Sequence, residues 1–445
     1  MDAMKILLLH PPVDYDLPLY FTSESLGLGY LASSLRPDGH EVEIFDAQLR
    51  CLKPRQAIEE ILKKDFDCLG ITASHEHQKV LVPVVRAVRR QRKDAILVAG
   101  GYLPTLSTEP LLAACPELDF VVRGEGESAA REVFGRISRG EKWQDSPGVA
   151  YRSDKDCIIN PPPPLIEDMD TLPFPARDAL EQSAERTTVR IAGSRGCYHR
   201  CSFCCIRSFY EISGGRAPRR RSPKNIVDEM EAIVSSVGAK EFRFIDDDFL
   251  GPEKHRGWVH EIADEIAGRK LGITFAIEAR ADEVEEETLK HLKSAGLTEI
   301  FLGIESGVQR QLDTYDKHVT VDQNRRAIDL IRSCGIKLRS GFIMFDPYVT
   351  VPEMMQNVEF VNQTGIAKET ISITPVPFIT RVHLYHGVPL VKKLMEDGLL
   401  RENGVNVDYV FKNPWIRLVY YALSALSKVS LWFKGMFKAK KAPGC

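Results

Sequence analysis

The sequence predicts an α/β protein: an N-terminal doubly wound parallel sheet, then a partial barrel of six strand and helix units, then a helical C-terminal region. Three observations lead there. Short apolar runs alternate with helical patterns through the first 145 residues, the alternation resumes after a proline-containing stretch, and it stops before the C-terminal region. The divisions are residues 1–145, a linker at 146–186, 187–380 and 381–445. At 445 residues the chain is too long for one ordinary core. Its apolar fraction of 44% and charged fraction of 27% are those of a soluble globular protein. A net charge of −3 gives no global basic field, so nucleic acid is not an expected partner. Ten cysteines without secretory signal features predict a reducing, cytoplasmic location.

The first strand is residues 5–9 (KILLL), an unbroken apolar run of the kind a parallel sheet buries on both faces, stopped by His10-Pro11-Pro12. A helical pattern over 26–35 closes at Gly39, and 41–45 alternates as a second strand ending at Asp46. The rhythm continues with helix 54–64, strand 68–72, helix 79–91, strand 95–99, the pair Gly100-Gly101, helix 109–114 and strand 120–123. Ligands of such sheets bind beyond the carboxyl ends of the strands, so the loops at His10, Ser74, Gly100 and Gly124 are expected to share one rim. Four prolines at 161–164 stiffen the linker.

Residues 188–192 open the second series as its first strand, and the loop that leaves it carries Cys197, Cys201 and Cys204 at the spacing Cys-x3-Cys-x2-Cys. Thiolates are soft ligands suited to zinc or to an iron-sulfur cluster. A structural zinc site wants a fourth protein ligand, for which His199 and Cys205 stand near. Three cysteines on one loop can instead each hold one iron of a cubane cluster and leave the fourth iron open. The other seven cysteines form no second ligand cluster. The spacing resembles the signature of the radical S-adenosylmethionine (SAM) family, down to Phe203 just before the third cysteine. That resemblance implies a 4Fe-4S cluster on the three cysteines, SAM chelated at the open iron with Phe203 beside its adenine, and an external one-electron reductant that drives cleavage of SAM to a 5'-deoxyadenosyl radical.

A basic stretch follows, Arg216, Arg219, Arg220, Arg221 and Lys224, read as a solvated loop in preference to a contact for phosphates or acidic substrates. After helix 223–237, strand 242–249 carries Asp246-Asp247-Asp248. Three adjacent carboxylates suit a magnesium ion, whereas the family resemblance puts them at the amino group of SAM. Strand 273–278 leads to Arg280, which the resemblance aims at the SAM carboxylate, a task suited to a guanidinium fork. After helix 285–295, strand 299–304 ends in Glu305-Ser306-Gly307, similar to a family element in which Glu305 or Ser306 bonds the ribose or the methionine end of SAM. Residues 338–344 and 370–374 make the fifth and sixth strands. Around Phe345 and at Ile379 the chain departs from the family's glycine patterns, so its own chemistry is expected to differ there.

In the N-terminal half, Pro11-Pro12, Leu26-Gly-Leu-Gly-Tyr-Leu-Ala32, Gly39-His-Glu-Val42, Asp46, Gly100-Gly101 and Gly124-Glu-Gly-Glu127 resemble the cobalamin-binding domain of one large class of radical SAM enzymes. Residues 172–177 (LPFPAR) are similar to the strap before the barrel in that class. The chain as a whole therefore resembles the cobalamin-dependent (B12-binding) radical SAM enzymes, with a Rossmann-like cobalamin domain and a TIM-type (β/α)6 barrel. The resemblance implies cobalamin contacts at Ser74, Gly100, Gly101, Gly124 and Glu125, the glycines letting backbone approach a flat, bulky ligand. No Asp-x-His-x-x-Gly motif follows the first strand, so the lower face of cobalt is expected to lack the histidine which that motif supplies.

Residues 414–441 mix aromatic, aliphatic and lysine residues, and their longest uncharged run, between Arg417 and Lys428, is too short to cross a bilayer. A helix packed on the barrel and a peripheral contact with a membrane surface are equally open readings. The resemblance implies methylation of an unactivated carbon of a small-molecule or lipid-like substrate, through methylcobalamin and the 5'-deoxyadenosyl radical. The alternative is oxidative cyclisation or rearrangement with the same cofactors and no methyl transfer. Transfer-RNA methylthiolation is disfavoured because that family's additional N-terminal cysteine cluster is missing, and a non-catalytic cobalamin-binding module is the reading from another class.

Overall fold

The computed structural model describes residues 3–14, 23–154, 156–181, 188–215, 218–369 and 379–438. Strands β1 (Lys5–His10), β2 (Glu41–Asp46), β3 (Cys68–Thr72), β4 (Ile96–Gly100) and β5 (Phe120–Val122) are parallel and lie in the order β2-β1-β3-β4-β5. The alternating side chains of β1 explain its unbroken apolar sequence. Ile6 and Leu8 pack with Leu28 and Phe134, while Leu7 and Leu9 pack with Ile61, Val84 and Val88 on the other face. Each such leucine buried contributes about 1.5–3 kcal/mol. Helices Leu26–Leu35 and Gly126–Ser138 cover one face, and Pro54–Leu62 and Leu81–Gln91 the other. The helix at Gly126–Ser138 has no counterpart among the predicted elements, because Gly124-Glu-Gly-Glu127 reads as a loop.

The stretch read as a linker begins otherwise than expected. Strands β6 (Val149–Ser153) and β7 (Asp156–Ile159) extend the N-terminal sheet as an antiparallel hairpin beyond β5. Val149 and Ala150 are fully buried, and pairing with β5 satisfies backbone groups that a free linker would leave to water. The tetraproline is not a free spacer either, since the Pro161 carbonyl accepts from the Gly148 N–H at 2.8 Å.

In the second half, β8 (Val189–Ile191) is followed by a small antiparallel ribbon of β9 (Ser194–Arg195) and β10 (Arg219–Arg220). Strands β11 (Glu241–Phe244), β12 (Thr274–Arg280), β13 (Leu297–Glu305) and β14 (Lys337–Phe342) then line up parallel in the order β8-β11-β12-β13-β14. Helices Pro223–Val237, Arg256–Arg269, Glu286–Ser294, Val321–Ser333 and Val351–Thr364 follow the successive strands, giving a partial barrel with its loops gathered at the carboxyl ends. Asp246 to Asp248 lie beyond β11, in the loop. The predicted sixth strand at 370–374 falls outside the described residues. Past it, Arg381 forms a parallel bridge with Phe345, so the chain returns beside the end of β14.

The C-terminal region is not wholly helical. Helix Pro389–Glu396 leads to a hairpin of β15 (Leu400–Asn403) and β16 (Asn406–Tyr409), whose Tyr409 hydroxyl donates to the Phe345 carbonyl at 2.9 Å. The final helix is Pro414–Lys438, and among the described residues no helix is long and apolar enough to cross a membrane.

Local capping helps to fix where barrel helices begin. The Thr320 hydroxyl accepts from the Gln323 N–H at 3.1 Å, and the Gln323 side chain accepts from the Thr320 N–H at 2.8 Å. Thr320→Ala is expected to lower stability by about 1 kcal/mol, read from a shift of the denaturant midpoint at unchanged slope.

Candidate functional site

The cysteine loop leaves the carboxyl end of β8 and is gripped from the next strand. Asp246, fully buried, accepts from the Gly193 N–H at 3.0 Å and from the Ser194 hydroxyl at 2.5 Å. Asp247 accepts from the Gly196 N–H at 3.2 Å, and Asp248 lies 3.4 Å from Nε2 of His199. The three carboxylates thus reach three successive points of one loop instead of converging as a magnesium site would require. Burial pushes Asp246 up to about 6 and Asp247 to about 7. Farther along, the Ser202 N–H donates to the Tyr315 carbonyl at 2.7 Å and its hydroxyl to that of Thr314 at 2.8 Å.

The three cysteines are half-buried on this loop, and burial pushes each thiol up. Holding them as thiolates calls for nearby positive charge, which Lys317 and Arg280 supply at Cys201 and which a bound metal would complete. Neither proposed zinc partner is free to close a tetrahedron. His199 sits 2.9 Å from Glu283; burial opposes its protonation, but its hydrogen bonds with Asp248 and Glu283 outweigh that and lift it to about 9. Cys205 begins helix Cys205–Glu211, and its thiol is engaged by the Tyr385 side chain. Three ligands with an open side fit a cluster that keeps one iron for an exchangeable ligand.

Around the loop, Arg280 is oriented by Asp282 through two contacts of 3.1 Å and brings Nη1 to 3.6 Å from the Cys201 sulfur. Glu305 ends β13 with φ of 60°, a left-handed conformation that costs a non-glycine residue about 1 kcal/mol or more, and pairs with Lys317 at 3.1 Å. Phe203 packs edge-on against Tyr315. Ser306 does not join this group: its fully buried hydroxyl is held by Gln311 and Asn357, at 2.6 and 3.0 Å, inside the barrel wall.

A cavity of about 390 Å³ joins the two halves of the molecule. His10, Ser74, Gly100, Gly101 and Gly124 line it from the sheet rim, as the strand ends predict, and Asp247, Arg195 and Tyr210 line it from the barrel. It continues as an apolar slot floored by Leu8, Gly70 and Val98 under Leu31 and Phe134. Gly101 has φ of 92°, and a Cβ there would come within 2.9 Å of the Thr72 hydroxyl and 3.0 Å of the Ala73 carbonyl. A Cβ on Gly70 would meet Leu8 at 3.0 Å. A glycine-floored slot opening between β1 and β3, where the strand order reverses, is the geometry by which such sheets admit large ligands, and it fits a cobalamin with its nucleotide tail.

His10, expected at the rim, is held there by Asp46 at 2.8 Å. Sequence reading missed His77, which also lines the cavity and is held by Gln48 at 3.0 Å; nothing in its local sequence marks it. Ser74 hydrogen-bonds Glu76 and lies 3.1 Å from Nδ1 of His77, shaping the turn at the rim.

The basic stretch meets Glu125, and its reading as a solvated loop needs correction. Glu125 lies on the cavity wall, but its carboxylate is engaged by Arg219 through two contacts of 2.8 Å and by Arg195 at 3.0 Å. Glu127 holds Arg195 at 2.6 Å. Arg221 reaches Glu229 at 2.5 Å, and Arg177 of the strap bridges Glu229 and Glu24. Arg219 and Arg221 are therefore buried struts, not a solvated loop: Glu125 comes to Arg219 from the other half of the chain, and Glu229, eight residues on, meets Arg221 from the following helix. Arg220 lies over the Trp258 ring, Lys224 pairs with Asp228, and Arg216 falls outside the described residues.

Removing one partner of such a buried group leaves the other charges uncompensated, at a cost of about 3–5 kcal/mol. Glu125→Ala is expected to cost that much and to expose the segment around Ile166, which Glu125 and Arg219 hold, to limited proteolysis. Burial alone would raise Glu125, but Arg219 and Arg195 hold it below the usual range. A depressed carboxyl contributes stability that is fully present above its unfolded value near 4.3 and is lost as pH falls through the lowered folded value. Glu125→Gln should flatten the acid limb of the stability profile; an unchanged limb would assign acid sensitivity elsewhere.

A family model described as the B12 binding domain matches residues 17–134, and one described as the Radical SAM superfamily matches residues 191–361. An uncharacterized methyltransferase of Pyrococcus horikoshii is 30% identical over 353 residues, covering 78% of this chain and 75% of that protein. The anaerobic magnesium-protoporphyrin IX monomethyl ester cyclase of Rubrivivax gelatinosus is 31% identical, over 71% of this chain and 58% of its own. The hopanoid C-3 methylase of Methylococcus capsulatus is 27% identical, over 76% and 64%. Among solved structures, the cobalamin-dependent SAM radical enzyme OxsB with aqua-cobalamin shares the fold at TM-score 0.77 and 20% identity, over 95% of this chain and 66% of that one. TsrM of Kitasatospora setae, with cobalamin and a 4Fe-4S cluster, does so at 0.67 and 19%, over 81% and 70%. The chain belongs to the cobalamin-dependent (B12-binding) radical SAM enzymes, which work with a 4Fe-4S cluster, SAM and cobalamin.

Proposed function

We propose that this enzyme methylates an unactivated carbon of a small-molecule or lipid-like substrate, drawing on an external one-electron reductant. The observation that carries the reading is the cavity in which the glycine rim of the sheet faces Asp247 and Arg195 of the barrel. When bound, the cluster with SAM supplies a 5'-deoxyadenosyl radical and cobalamin supplies a methyl group. Cys197, Cys201 and Cys204 would hold the cluster. Arg280 beside Cys201 would take the SAM carboxylate, Phe203 the adenine, and Glu305 with Lys317 the polar groups between them. Asp247 is the member of the aspartate triplet that faces the cavity, and it would accept the SAM amino group, while Asp246 and Asp248 hold the loop. Ser74, Gly100, Gly101 and Gly124 would cradle cobalamin, and the apolar slot would keep water from its tail. Ser306 and Glu125 serve as supports. A lipid-like substrate would be met at a membrane surface, where the C-terminal helix makes the contact.

A second reading, cyclisation or rearrangement with the same cofactors, is favoured by the similarity to the Rubrivivax cyclase. Turnover with methyl-labelled SAM separates the two. Label on the product carbon is expected, and its absence alongside 5'-deoxyadenosine formation would transfer the proposal to the second reading. Substituting Cys197, Cys201 or Cys204 by alanine should abolish the visible charge-transfer absorbance of the reconstituted cluster and lower product formation at least a hundredfold. Gly101→Val is expected to leave that absorbance intact while reducing bound cobalamin more than tenfold.

A further inference from the structure

The final helix, Pro414–Lys438, has two dissimilar faces in its described half. One face is closed against the barrel: Ile416 is fully buried, Val419 and Leu423 pack on the barrel core, and Tyr420 packs edge-on against Phe345 and at a tilt against Phe411, at 5.4 and 5.1 Å between ring centroids. Arg381 lies over Tyr409 and Tyr420, at 4.0 and 5.3 Å, locking the helix root. The other face carries Trp415, Leu418, Tyr421 and Leu426 at 68%, 61%, 58% and 62% exposure, with Ala422 and Ala425 exposed between them. These positions recur every three or four residues, so they form one stripe along the helix. The same spacing continues in the sequence through Val429, Trp432, Phe433 and Met436.

Charge indicates what covers this stripe. Residues 414–445 contain six basic residues and not one Asp or Glu, in a chain whose overall charge is −3. Pairing two copies of this segment would bring only positive charges together, whereas an anionic lipid surface offers both an apolar boundary for the stripe and a counter-charge for Lys428, Lys434, Lys438, Lys440 and Lys441. The helix is not apolar enough to cross a bilayer, which leaves lying along it. We propose that the Trp415-Leu418-Tyr421-Leu426 face is a docking surface for an anionic lipid bilayer. Because the helix root packs on Phe345, just past β14 at the carboxyl end of the barrel strands, docking holds the barrel mouth near the bilayer. The proposal extends the lipid contact of the proposed function and does not rest on the reaction.

The test is flotation of the full-length protein with phosphatidylcholine vesicles and with vesicles enriched in phosphatidylglycerol, at low and high salt. Capture by the anionic vesicles, weakened by salt, is expected. Two variants separate the contributions: Trp415→Ser/Leu418→Ser/Leu426→Ser on the exposed face, and Lys438→Glu/Lys440→Glu/Lys441→Glu. Each should reduce capture at least about tenfold while keeping the parent melting temperature. Three results would overturn the proposal: no flotation with anionic vesicles at low salt, equal and salt-independent capture by both vesicle types, or a dimer in sedimentation equilibrium that the serine variant dissociates without any vesicle binding. Since no turnover is measured, these outcomes leave the proposed reaction untouched.

Discussion

A buried charge group between the two α/β units, Glu125 and Glu127 against Arg195 and Arg219, fixes the rest of the architecture. Arg195 stands two residues before Cys197, and Glu125 opens a helix that walls the apolar slot. One set of ion pairs therefore couples the position of the cysteine loop to the rim of the sheet. Ion pairs this deep gain little net stability over apolar packing, but they penalise any arrangement in which one partner is withdrawn. That asymmetry suits a junction whose geometry must be unique. Arg177, with Glu24 and Glu229, repeats the device along the strap.

Within the barrel the same logic works through hydrogen bonds. The loop after β8 contributes little apolar burial of its own, so its path is set by backbone N–H groups given to Asp246 and Asp247 and by His199 held between Asp248 and Glu283. A loop fixed at these points leaves its three cysteines half-buried, with Cys201 beside Arg280 and Lys317. The left-handed Glu305 adds local strain at the same mouth, where a side chain must be aimed and not merely packed.

Much of this was legible in the sequence because it is local. The cysteine spacing and the apolar strand at residues 5–9 carry their physical reason within a few residues, and the glycine pair at the end of β4 is visible there too, although the Thr72 and Ala73 atoms that crowd Gly101 come from the neighbouring strand end. The failures share the opposite property. Arg219 looks like part of a solvated patch until Glu125, remote in the chain, is brought to it, and Arg221 until the following helix turns Glu229 toward it. Ser306 stands beside Glu305 in the sequence, yet a bulge in the β13 and β14 pairing accompanies its turn into the wall. Strands β6 and β7 were hidden because two short runs joined by a charged tip carry too weak an alternation to be told from a connector.

The central claim is that Arg195 and Asp247, which flank and hold the cysteine loop, face the glycine rim of the sheet across one cavity, so that a cluster on the three cysteines would stand near a cobalamin on that rim. Pulsed electron paramagnetic resonance on the anaerobically reconstituted enzyme, with the cluster reduced and cobalamin as cob(II)alamin, addresses it most directly. The account predicts magnetic coupling between the two centres that disappears when Cys197, Cys201 and Cys204 are replaced by alanine. Two full-strength signals with no mutual coupling would contradict it.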